Sequence, residues 1–168
     1  MFHRLLSYLK FLWHSKNEHG VHSPFIFKYV TQCLYRKNKF ADDKVENIVL
    51  KSLDYFQCGS ITVVPAEHPL ALNLKKVRPH IHMADNSSEL IFISDCDDSM
   101  VETYLLKNKN IGNNTIGILK GIYKNKENTQ LWDQIKTSDR VRVTVDLYYC
   151  AVIFFRREQV EEHFKIRI

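Results

Sequence analysis

Two apolar runs near the C-terminus, Val141–Leu147 and Ala151–Phe155, constrain the fold more than any other feature. Both are rich in β-branched and aromatic residues, and only Tyr148, Tyr149 and Cys150 lie between them. No helix fits in so short a link, so the pair predicts an antiparallel hairpin. The remainder of the chain must supply the sheet that this hairpin completes.

Upstream, strand and helix patterns alternate. Ile61–Val64, His80–Ala84, Leu90–Ile93 and Thr115–Leu119 read as strands. PAEHPLALNLKKV (residues 65–77), MVETYLLKN (100–108) and KENTQLWDQIK (126–136) read as helical segments with their loops. The link DNSSE (85–89) is too short for a crossover helix. The order β-α-β-β-α-β-α-β-β predicts an α/β domain over residues 58–168 with a largely parallel sheet. Residues 1–57 predict a helical N-terminal segment that forms one compact unit with it. Within that segment Ser23-Pro24 is a helix opening, with serine as cap and proline at the first helical position. Asp42 or Asp43 caps a further helix whose Val45, Ile48, Val49, Leu53 and Phe56 follow helical spacing.

At the start of the chain, Phe2, Leu5, Leu6, Leu9, Leu12 and Trp13 form one apolar stripe, with Arg4, Ser7 and Lys10 off it. Two readings stand: a helix docked by its stripe on its own domain or a partner subunit, or a basic amphipathic helix on a membrane surface. The short stripe and weakly basic polar face favour docking.

The 168 residues suit a single domain with a real core. The net charge of +5 is mild, and short runs such as Lys75-Lys76 and Lys107–Asn110 read as solvated faces. No long basic block or known motif points to nucleic acid. Cys33, Cys58, Cys96 and Cys150 are far apart and form no C-x-x-C pair, as in a reduced, cytoplasmic protein. No run approaches the ~18 apolar residues of a transmembrane helix. The N-terminal stretch also lacks a signal-peptide cleavage pattern.

Three segments carry a family resemblance: HGVHSPFIF (19–27), LWDQIK (131–136) and VTVDLYYCAVIFFRREQVEEHFKIRI (143–168). They resemble bacterial class I S-adenosylmethionine-dependent methyltransferases of the O-methyltransferase-like group. The resemblance implies a Rossmann-like sheet of the class I methyltransferase type, finishing in the hairpin. It also implies a cofactor lying across the carboxyl ends of the first strands, on a glycine-rich turn after strand one. Here that turn would be Pro65, Ala66 and Glu67, with Asp85 as the ribose-binding acid and Asp95 near the active site.

Several positions depart from the family pattern. The stretch Val64–Pro69 has no glycine and two prolines, which remove backbone donors. Ser94 stands where the family places an aspartate at the end of the third strand. Lys120-Gly121-Ile122-Tyr123 replaces the acidic residues that complete a metal site in metal-dependent relatives. A strand and helix that the family places after strand two are missing, so the sheet is truncated.

Other chemistry is thinly represented. Asp85 also reads as a turn residue, and Asp97, Asp98 and Ser99 as a helix cap rather than cation ligands. His19 with His22, and His80 with His82, lack the third ligand that zinc requires. Cys96 among acidic residues would have a raised pKa. Tyr148, Tyr149, Phe154 and Phe155 read as hairpin core. No nucleophile elbow or phosphate loop occurs.

The expectation is a degenerate, non-catalytic methyltransferase-like protein that acts by binding, with a second copy or an active methyltransferase relative as partner. No catalytic or metal-binding residues are assigned, and S-adenosylmethionine is expected only if the pocket survives. The alternatives are an active methyltransferase using Asp85 and Asp95 in an atypical pocket, and a peripheral membrane or nucleic-acid binding module.

Overall fold

A computed structural model describes residues 2–168, with the side chains of Phe2 and His19 excepted. Among the described residues, the helices are α1 (Phe2–His14), α2 (Pro24–Tyr29), α3 (Lys44–Phe56), α4 (Pro69–Val77), α5 (Asp98–Val101) and α6 (Lys126–Lys136). The strands are β1 (Ser60–Val64), β2 (His82–Met83), β3 (Leu90–Ile93), β4 (Ile116–Lys120), β5 (Val143–Asp146), β6 (Cys150–Phe154) and β7 (Glu162–Lys165). Helices α2 and α5 each continue as a wider π turn, Val30–Leu34 and Glu102–Leu106.

The strands form one mixed sheet in the order β2-β1-β3-β4-β6-β5-β7. β1, β2, β3 and β4 are mutually parallel, while β6 runs against both β4 and β5. The architecture is α/β and compatible with a Rossmann-like fold. Strand pleating sends alternate residues to opposite faces, and both faces are buried. Ile61, Leu90, Phe92, Ile116 and Ile118 join α2, α3 and α4 in one core. Ile91, Ile93, Leu119, Ala151 and Ile153 join α5 and α6 in the other. Strands covered on both faces explain the near-continuous apolar runs in the sequence.

Local chemistry sets the helix starts. The Ser23 hydroxyl accepts from the Ile26 N–H at 3.4 Å, with Pro24 at the first helical position. Asp43 accepts from the N–H groups of Val45 and Glu46 at 2.9 and 3.0 Å. Asp97 accepts from the Met100 N–H at 3.1 Å and opens α5, fulfilling the capping expectation for that acidic loop.

At the two margins of the fold the structure differs from the sequence reading. β7 was not expected, and it pairs in parallel with the open edge of β5, from Val143↔Glu162 to Asp146↔Lys165. Its sequence, EHFK, has no apolar alternation, because an edge strand needs only backbone partners along one side.

The second difference is a correction to α1. The helix docks on the domain, but by the face opposite its leucine stripe. Phe11 is buried against Tyr148, with ring centroids 5.5 Å apart, and Tyr8 meets Tyr148 edge-on at 4.9 Å. His3 bonds Thr129 of α6 at 3.1 Å, and the Tyr148 hydroxyl donates to the Arg4 carbonyl at 2.7 Å. Beyond the helix, Lys16 bridges to Ile166 just past β7. These anchors at both ends fix the rotation of α1 and leave Leu5, Leu6, Leu9 and Trp13 exposed.

Candidate functional site

A cavity of about 610 Å³ opens at the carboxyl ends of β3 and β4. Open α/β sheets place ligands at this edge because the strand ends and following loops leave a crevice there. The strand order reverses between β1 and β3, so the cavity lies one strand beyond the switch point. Ser94 and Asp95 follow β3 into it, and Lys120, Gly121, Tyr123 and Lys124 come from the end of β4 and its loop. The start of α3 contributes Asp42, Asp43 and Lys44. Arg4 reaches it from α1, and Tyr148 and Tyr149 from the β5–β6 turn.

An aromatic wall is built on a buried carboxylate. Asp146, only 2% exposed at the end of β5, accepts a short hydrogen bond from the Tyr123 hydroxyl and another from the Tyr148 N–H at 2.9 Å. The second bond holds Tyr148 in the left-handed region, at φ 67°. Tyr123 and Tyr148 then stack with centroids 5.2 Å apart and planes 15° from parallel. Burial pushes the Asp146 carboxyl above its ordinary pKa, against the hydrogen bonds that favour its charged form. Burial and the neighbouring Asp146 charge likewise push the Tyr123 phenol up, so it stays protonated as a donor.

The rim carries matched charges. Lys124 pairs with Asp95 at 2.7 Å, and Lys120 approaches Asp43 at 3.5 Å. The Lys44 ammonium lies 4.6 Å from the Tyr149 ring centroid. Gly121, at φ +85°, makes the turn between Lys120 and Ile122. A Cβ there would sit 3.4 Å from the Asp95 carboxylate.

Of the residues that the resemblance nominates, only Asp95 lines this cavity. Pro65, Ala66 and Glu67 lie exposed after β1, and Asp85 lies exposed after β2. The α4 start beside them is closed by its own residues. Pro69 has no N–H, and His68 Nδ1 accepts from the Leu70 N–H at 3.2 Å. The His68 carbonyl accepts from the Ala71 N–H at 2.8 Å, while its ring packs edge-on against Phe92. At the start of α4 the backbone donors of residues 68–71 are therefore absent or already engaged, the His68 N–H by the Pro65 carbonyl.

Other chemistry is quiet. All four cysteines are buried and free. Burial, reinforced by Asp95, Asp97 and Asp98, pushes the Cys96 thiol up to about 12, so it is no nucleophile at neutral pH. Among the described residues, no three His, Cys, Asp or Glu side chains gather as a metal site. His22, His80 and His82 are exposed, and the His19 side chain lies outside the described residues.

The sequence reading missed Arg4 and Asp146. Asp146 carried a signal, being the one charged residue inside the otherwise apolar or hydroxyl-bearing run VTVDLYY, where a carboxylate needs a buried partner. Tyr149 is corrected from hairpin core to cavity wall, since it is exposed, whereas Tyr148, Phe154 and Phe155 are buried. The arrangement can stack and hydrogen-bond a polar planar molecule between opposite charges.

Compared with known proteins, the chain matches no family model, no curated protein and no solved structure.

Proposed function

We propose that this chain is a methyltransferase-related domain that binds a ligand or partner without transferring a methyl group. The lineage reading is supported by the reversed β6 lying between β4 and β5. A class I methyltransferase sheet lacking one edge strand would have that order, here with β7 added beyond β5.

The closed α4 start carries the loss of ordinary cofactor use. Proline at the first position and histidine on the next N–H leave little backbone to cradle an S-adenosylmethionine carboxylate. Binding would then centre on the tyrosine-walled cavity at β3 and β4, presented to a small ligand, a second copy or an active relative.

Calorimetric titration with S-adenosylmethionine and S-adenosylhomocysteine tests this reading. The expected result is no binding tighter than about 1 mM. Micromolar binding abolished by Asp85→Ala would overturn it in favour of an active methyltransferase with an atypical pocket.

A further inference from the structure

The apolar stripe of α1 faces outward although the helix is docked. Trp13 is 87% exposed, Leu5 56%, Leu9 54% and Leu6 45%. At 100° per residue these four side chains fall on one arc, roughly opposite the buried Phe11. Clustered exposed apolar side chains of this size mark an interaction surface. The domain cannot cover them without surrendering the anchors at His3, Arg4 and Lys16.

Charge identifies what covers the stripe. Lys10 borders the stripe and Lys16 follows the helix, with no aspartate or glutamate between residues 2 and 17, whereas Arg4 turns to the cavity. An outward leucine–tryptophan face with basic flanks suits the boundary between lipid headgroups and acyl chains. Tryptophan favours that boundary, since its ring is apolar and its N–H polar. A second copy of the chain is a poorer fit, because four side chains on one helix fall well short of the ~20 residues per side of a stable dimer. We propose that α1 is an interfacial anchor that holds this domain on an anionic lipid surface, lying in the plane of the interface.

The test is co-sedimentation of the full chain with vesicles of phosphatidylcholine, alone or mixed with phosphatidylglycerol, at low and physiological salt. Binding to the mixed vesicles is expected, weakening about tenfold on neutral lipid. Leu9→Glu and Trp13→Glu should each lower partitioning about tenfold or more, with circular dichroism unchanged because both positions are exposed. Lipid should also shift the Trp13 emission to the blue, a change that Trp13→Phe removes while the buried Trp132 stays constant. The proposal fails if the chain does not sediment with anionic vesicles at low salt, or if Leu9→Glu binds as well as the parent. It fails equally if the stripe proves to hold a dimer that Leu9→Glu dissociates while vesicles are ignored. These outcomes are independent of S-adenosylmethionine binding.

Discussion

Asp146 and Asp43 show how a single carboxylate is used in opposite ways. Asp146 is buried, so its charge depends on the Tyr123 hydroxyl and the Tyr148 N–H, with Lys165 and Lys136 adding to them. Tyr123→Phe should destabilise the protein by about 2 kcal/mol at neutral pH, measured by urea unfolding, because one carboxylate oxygen loses its donor. The folded-state pKa of Asp146 is raised, so the penalty should shrink as pH falls and the carboxyl gains its proton. A penalty independent of pH would show that Asp146 is not the affected group. Asp43 is the opposite case. Partial burial raises its pKa, but the Glu46 N–H, Lys120 and the Val45 N–H outweigh burial and leave it lowered. Its stabilisation is complete above the unfolded-state pKa and is lost as pH falls through the lower folded value. Asp43→Ala should cost about 1 kcal/mol at pH 7 and flatten the acid limb of the stability profile. At this scale much was readable: Ser23, Asp43 and Asp97 cap as their positions suggest. The Asp146–Tyr123 bond was not, because it joins residues 23 apart on either side of α6.

Among the elements, those fully covered by helices were legible and those at the margins were not. Leu90–Ile93 and Ile116–Lys120 are buried on both faces, so composition alone marks them as strands. β2 shrinks to His82–Met83, since at the edge only β1 pairs with it. Gly117 in β4 also has a packing role. A Cβ there would meet a Leu105 methyl at 3.0 Å and Ile153 at 3.4 Å, so the glycine lets the π turn after α5 lie close to the sheet. Gly117→Val should overpack this contact and cost about 1–3 kcal/mol by chemical denaturation. Unchanged stability would mean that the turn after α5 moves aside freely. α1 was legible as a helix but not in its orientation, because its two faces both carry large apolar or aromatic side chains. Periodicity finds a stripe without saying whether protein, lipid or water meets it.

In the whole molecule, one sheet is shared by two cores, and neither core closes without the strands of the other. Unfolding should therefore be a single cooperative transition. Fluorescence of Trp132 in the core under α6 and far-ultraviolet circular dichroism should give coincident urea curves. Separated midpoints would instead divide the sheet into independent units. The segment after α1 is tied to β7 in this unit, since Lys16 meets Ile166 and the backbone bonds from Lys16 to Lys165 and from Arg167 to Lys16 are 2.8 and 3.2 Å. Sequence by itself determined the alternation of elements, the helix caps, the hairpin of β5 and β6, and the glycine-free turn after β1. These are written in neighbouring residues, through side-chain period, turn length and missing N–H groups. Only the tertiary structure decided which face of α1 docks, that EHFK becomes a strand, and that Arg4, Asp43, Asp95 and Tyr123 meet around one cavity. Those outcomes depend on contacts between residues far apart in the chain, whose energies no local pattern records.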